Sequence, residues 1–203
     1  MLHFVCRFLL PAVFFTSLSA WAEPSAVFAT CAACHGEKGQ GNTQMQGPVL
    51  AGLSADYLTR QLLHFQNGSR GQHADDVQGQ QMAAMAKSLL PQDSDIQALA
   101  AYIEKMPVPN ERRLLPGDLK TGNAYYQNNC GACHGGQGQG NPALKAPRLA
   151  AQDIDYLRRQ FMHFKQGLRG NADADKAGRQ MAMMAKVLPD DKIEDVLAFI
   201  SSL

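Results

Sequence analysis

Two stretches of this chain place thiols and imidazoles at a spacing that supports chemistry: Cys31-Ala32-Ala33-Cys34-His35 and Cys130-Gly131-Ala132-Cys133-His134. Two thiols separated by two residues can add across the two vinyl groups of one haem as thioethers. The histidine that follows is then held beneath the iron as its proximal ligand. A bare Cys-x-x-Cys also serves zinc sites and thioredoxin-like redox pairs; the adjoining histidine, present in both copies, is what selects haem. The expected cofactors are two covalently bound haem c groups, attached through Cys31, Cys34, Cys130 and Cys133, with His35 and His134 as iron ligands.

The elements that must position these motifs are duplicated. Shifted by 99 residues the sequence matches itself, with 30 of 57 positions identical between Cys31–Lys87 and Cys130–Lys186 and no gap. Self-similarity of this kind is the mark of a repeated structural unit. It also filters candidates for the second axial ligand, which should recur at the same offset if both halves bind haem alike. Of the nine methionines, two pairs recur, Met82 with Met181 and Met85 with Met184; His64 with His163 also recurs. A thioether is a soft neutral donor that raises the haem potential, whereas a second imidazole lowers it. Methionine also fills core gaps, so one pair is packing, and the two histidines read as helix-surface or propionate-contacting residues that compete with methionine for the iron. Pro48 and Pro147 recur thirteen residues after each motif histidine. Each sets a rigid turn whose carbonyl can accept from the imidazole N–H and so orient the ring; a plain loop proline is the alternative.

Both halves read as helical, without strand alternation. A short helix approaches each motif, Ala26–Cys34 and about Thr121–Cys133. A middle helix starts at Ser54 or Asp153, good N-cap residues, and stops at Gly68 or Gly167. A last helix runs over about Ser94–Lys105, and Ile193, Val196, Leu197 and Ile200 repeat its spacing at the end of the chain. The expected fold is all-α: two tandem domains, 23–106 and 118–203, each of three short helices round a covalent haem. The Pro-rich stretch 107–117 reads as an extended connector.

Residues 1–22 read as an export signal. Arg7 is the sole charge, an apolar run follows, and Ala20-Trp21-Ala22 offers a cleavage site. The run is short for a bilayer anchor. Cleavage removes Cys6, leaving every remaining cysteine inside a motif and none for a disulfide, although exported chains commonly form them. The expected location is the periplasm, with no transmembrane segment after cleavage and only peripheral membrane association open. The mature chain has 18 basic and 18 acidic residues, but they are unevenly spread: 5 basic and 8 acidic over 23–109, against 13 and 10 over 110–203. This is ordinary solvated surface or a dipole whose ends meet different partners. No basic-aromatic array points to nucleic acid.

These residues resemble the dihaem cytochromes c of the c4 type. The resemblance covers almost the whole mature chain and rests on the two Cys-x-x-Cys-His-Gly motifs, Pro-x-Leu-Ala after each, Tyr-Leu-x-x-Gln in the middle helix, and the methionine segment before the last helix. It implies two tandem class I cytochrome c-like domains with His/Met ligation in both, Met82 and Met181 being the ligands, and a periplasmic electron-carrier role between redox partners such as a quinol-oxidising complex and a terminal oxidase or dehydrogenase. The chain departs from the family at Pro48-Val49-Leu50 and Pro147-Arg148-Leu149, where the family has Pro-Lys-Leu, and in the unequal segments Leu89-Leu90-Pro91-Gln92-Asp93 and Leu188-Pro189-Asp190-Asp191. An iron with both axial positions filled leaves no open site for substrate, so the expectation is a carrier and not an enzyme. The alternatives are a dedicated haem subunit of a dehydrogenase complex, a dihaem peroxidase, which needs a labile iron site, and a gas sensor, which needs an output domain.

Overall fold

In the computed structural model, which describes residues 23–110 and 113–203, the 99-residue offset reappears as geometry. The export segment expected over 1–22 lies outside the described residues. The first half is α1 (Pro24–His35), α2 (Ala55–Asn67), α3 (Val77–Leu89) and α4 (Asp93–Glu104). The second is α5 (Leu119–Asn129), α6 (Gly131–His134), α7 (Ile154–Gln166), α8 (Lys176–Val187) and α9 (Ile193–Ser201). Among the described residues there is no strand, only the isolated bridges Asn42–Gly47 and Asn141–Ala146. No helix among them is long and apolar enough to cross a membrane.

Local chemistry sets the helix limits. Pro24 opens α1, where its missing N–H costs no helical bond. Ser54 Oγ accepts from Tyr57 N at 3.3 Å and Asp153 Oδ1 from Tyr156 N at 2.7 Å, capping α2 and α7. Both helices stop at a left-handed glycine, Gly68 (φ 82°) and Gly167 (φ 77°). These are the limits expected for the middle helix. The equivalents of α1 in the second half are two helices, which break at Cys130 (φ −117°, ψ −39°).

Where three helices per half were expected, the structure adds a fourth, α3 and α8, and these carry the recurring methionines. Their sequences are rich in Ala, Gln and Met, all good helix formers, but a glycine in the first turn and the scarcity of large apolar residues blur the 3.6-residue period. The starts are set by Asp76, whose Oδ1 accepts from Gly79 N at 2.9 Å, and by Asp175, which does the same with Gly178 N at 2.8 Å.

The apolar faces pack in two equivalent cores. In the first, Phe28 of α1 and Ile96, Leu99 and Ile103 of α4 close over Leu58 of α2. In the second, Tyr126 of α5 meets Ile193, Val196, Leu197 and Ile200 of α9. The stretch from Lys186 to Ile193 is two residues shorter than that from Lys87 to Ile96, so the offset falls from 99 at the lysines to 97 at the isoleucines. The connector is pinned over its final stretch: Arg113 pairs with Asp155 at 2.6 Å, Leu115 N donates to Ser201 Oγ at 3.0 Å and Asp118 N to Asp195 Oδ1 at 3.0 Å.

The halves meet along a seam with near-twofold character, in which a contact from residue i to j is answered by one from i's counterpart to j's counterpart. Arg60 Nη2 donates to the Lys145 carbonyl at 2.9 Å, and its counterpart Arg159 to the Gln46 carbonyl at 3.0 Å. One clasp is one-sided: Gln152 both accepts from Val49 N and donates to Val49 O, each at 2.8 Å, and its own counterpart is Leu53.

Candidate haem-binding site

A cavity of about 350 Å³ runs between the halves, in the size range of cofactor sites. Each half brings to its wall the two motif cysteines, the motif histidine and the proline thirteen residues on. Met82, Met85, Met181 and Met184 line it as well, from α3 and α8. The duplicated chain thus carries its chemistry-bearing residues to one place.

His35 Nδ1 lies 3.0 Å from the Pro48 carbonyl and His134 Nδ1 2.9 Å from the Pro147 carbonyl. A carbonyl only accepts, so the proton sits on Nδ1 in both rings and the free lone pair is on Nε2, the form a metal ligand needs. Burial lowers the proton affinity of both imidazoles, against the opposing pull of the proline carbonyl, and so keeps them neutral. Burial has the reverse effect on the thiols: it raises Cys31, and with the neighbouring Cys133 pushes Cys130 up to about 11. A site built for zinc or redox thiolates stabilises the anion instead.

The four methionines are not equivalent. Met82 is half-buried against Phe65, Ala83 and Ala86, and Met181 is likewise half-buried. Met85 and Met184 are each 38 % exposed. His64 and His163, read from sequence as helix-surface or propionate-contacting residues that compete with methionine for the iron, are not on the surface: both are 7 % exposed and lie in the seam, outside the residues that line the cavity.

Sequence reasoning missed the residues between the two sites. Arg70 and Arg169 are 8 % and 6 % exposed. Arg70 donates to Gln61 Oε1 at 2.9 Å, Gln160 Oε1 at 2.8 Å and Tyr156 OH at 3.3 Å. Arg169 answers with Gln160 Oε1 at 2.7 Å, Gln61 Oε1 at 2.7 Å and Tyr57 OH at 3.3 Å. The signal was available: Tyr57, Arg60, Gln61, Arg70 and Asp76 all recur unchanged at the 99-residue offset, which a merely solvated face does not require.

This ring tests the cofactor. Two buried guanidinium cations hydrogen-bond here only to neutral oxygens, and the Nε atoms of both have no partner among the described residues. Buried charge of this kind calls for an anion. Both arginines line the cavity, so a ligand carrying carboxylates, as haem does through its propionates, fits the donors present.

The model of the family described as Cytochrome c matches residues 22–107 and again 119–203. The chain belongs to the cytochrome c family. It is a c4-like member with two cytochrome c domains and two covalently bound haem c groups. It is 31 % identical to cytochrome c4 of Thiocapsa roseopersicina, over 85 % of this chain and 86 % of that one. It is also 31 % identical to a protein of Stutzerimonas stutzeri named thiosulfate dehydrogenase electron acceptor, over 90 % of this chain and 82 % of the relative. The crystal structure of reduced recombinant cytochrome c4 from Pseudomonas stutzeri superposes with a TM-score of 0.74 at 28 % identity, over 89 % of this chain and 96 % of that one.

Proposed function

We propose that this cytochrome is exported to the periplasm and carries single electrons between a donor and an acceptor protein, without itself transforming a substrate. The observation that carries this is the pair of motif histidines, each with its Nδ1–H committed to a proline carbonyl and its Nε2 lone pair left for a metal. The covalently bound haem supplies a one-electron ferric/ferrous couple. Cys31 and Cys34 hold it in the first half and Cys130 and Cys133 in the second. His35 and Met82 would ligate one iron, and His134 and Met181 the other. The half-burial of Met82 and Met181, against the exposure of Met85 and Met184, favours the first methionine of each pair.

The same donor set argues for a carrier. With two side chains committed to each iron, no position would stay open to a substrate, and the polypeptide would be left to exclude water and hold the two centres. Charge then separates the two ends. Lys145, Lys176 and Arg179 of the second half stand where the first has Gln46, Val77 and Gln80, so the second half suits an acidic partner.

A second reading, a dedicated acceptor for one dehydrogenase, is favoured by the Stutzerimonas stutzeri relative, which is named as the electron acceptor of thiosulfate dehydrogenase. Rapid-mixing reduction of this cytochrome by that dehydrogenase, compared with reduction by a quinol-oxidising complex, separates the two.

Ligation is tested with the holoprotein. Met82→Ala opens one iron, so the ferrous protein takes up carbon monoxide at one of its two centres and the potential of that centre falls. Met85→Ala does neither. An unchanged low-spin spectrum in Met82→Ala would overturn the assignment.

A further inference from the structure

The guanidinium ring leaves two pairs of seam residues unexplained. His64 Nδ1 lies 3.6 Å from Asp175 Oδ2, and His163 Nδ1 lies 3.6 Å from Asp76 Oδ1. The pairs cross: each imidazole comes from one half and each carboxylate from the other. All four groups are buried, Asp76 and Asp175 to 1 % and 4 % exposure. A separation of 3.6 Å is too long for a hydrogen bond, and neither Nδ1 has a hydrogen-bond partner among the described residues. The carboxylates already have a task, since each caps the helix that carries a candidate methionine ligand, Asp76 on α3 and Asp175 on α8. A neutral imidazole here is a buried polar group left idle beside an anion; a protonated one becomes half of an ion pair across the seam.

We propose that His64–Asp175 and His163–Asp76 are two proton-binding sites that couple proton uptake to electron uptake; this rests on the carrier reading above. An electron delivered by the donor protein adds one negative charge beside the cavity that Asp76 and Asp175 line. A proton from solvent then binds Nδ1, the only bond formed, and the imidazolium donates to the facing carboxylate. The coupling is reciprocal: if reduction raises proton affinity, acid raises the potential by the same free energy.

The groups facing each imidazole set the window. His64 meets Asp175, Arg60, Arg169 and Arg70, and His163 meets Asp76, Arg159, Arg169 and Arg70, with Tyr57 and Tyr156 bonded to the same guanidiniums. Burial lowers the proton affinity of both imidazoles, the carboxylate opposes this, and the arginines reinforce it. The sites therefore fill on the acid side of about pH 6.5, the ordinary imidazole value.

The test is a spectroelectrochemical titration of the holoprotein between about pH 5 and pH 8. It is run on the native chain, on His64→Gln with His163→Gln, and on Asp76→Asn with Asp175→Asn, which keeps a good N-cap. In the native protein the reduced-to-oxidised ratio at fixed potential should rise as pH falls below about 6.5. The limit is tenfold per pH unit, 59 mV for a one-electron couple. Both double variants should lose this slope. Proton NMR of the native protein should give His64 and His163 a higher pKa in the ferrous than in the ferric state, a reading that needs no variant to fold. Equal values in the two states, or an undiminished slope in the variants, would overturn the coupling and leave the carrier reading standing. Absence of any one-electron centre would overturn both.

Discussion

At the centre of the seam, Arg70 bridges Gln61 and Gln160, Arg169 bridges Gln160 and Gln61, and every one of these residues is matched in type by its counterpart 99 positions away. At the crossing of the first and last helices the same duplication has drifted. The first half stacks Phe28 on Tyr102 at 5.8 Å and 55°, the second Tyr126 on Phe199 at 5.3 Å and 53°. The offset takes Phe28 to the exposed Gln127 and Tyr126 to the half-buried Val27, so the two aromatic pairs are built from different positions on the first helix. The difference follows from the forces involved. A buried guanidinium needs acceptors at fixed distances and angles, which few residue types supply. An apolar crossing needs volume and shape, which several arrangements supply about equally well.

The largest effect should come where the crossing is limited by backbone and not by side-chain volume. A Cβ at Gly122 of α5 would sit 2.0 Å from the Asp195 carbonyl oxygen of α9. Gly122→Val should therefore cost about 3 kcal/mol or more, beyond ordinary overpacking, seen as a lowered guanidinium midpoint for the holoprotein. The counterpart of Gly122 is Glu23, an exposed N-cap residue without a side-chain cap bond. Glu23→Val should stay within about 0.5 kcal/mol. Equal losses at the two positions would break the contrast between the helix crossings.

Gln61→Leu comes next. Its Oε1 accepts from both arginines, so the change strips a partner from each of two buried cations and should cost about 2 to 3 kcal/mol. If it cost less than the removal of a hydroxyl from the crossing, the seam would not be the more demanding region.

Much of this was legible in the chain. The Ser54 and Asp153 caps, the Gly68 and Gly167 stops and the gathering of two Cys-x-x-Cys-His motifs with recurring methionines all follow from local residue chemistry and a repeat. Helices α3 and α8 were not, because Val77–Leu89 lacks a broad apolar stripe and takes its place from Asp76 and from packing of Ala83 and Ala86 on Phe65. The roles of Arg70, Arg169 and the two seam histidines were hidden for another reason. An amphipathic pattern separates inside from outside within one half, but a polar helix face that meets its own duplicate looks the same as one that meets water. Recurrence at 99 residues marks such positions; what they touch depends on the docking of two halves, which no local period encodes.

The smallest effect isolates one hydroxyl at the second crossing. Tyr126 is fully buried and donates through its OH to the Gly135 carbonyl at 2.8 Å, a bond for which Val27 offers no equivalent in the first half. Tyr126→Phe should cost about 1 kcal/mol at neutral pH. Burial, and next the adjacent Cys130, push the phenol from its ordinary 10 up to about 12. The folded state thus holds this proton more tightly than the unfolded chain does. The contribution is complete below pH 10 and is lost as pH rises through about 12, because the unfolded chain ionises first. Guanidinium midpoints measured across that window should fall more steeply for the native protein than for Tyr126→Phe, so the two curves converge in alkali. Parallel curves would mean that the hydroxyl contributes no proton linkage, and that the second crossing, like the first, is held by shape alone.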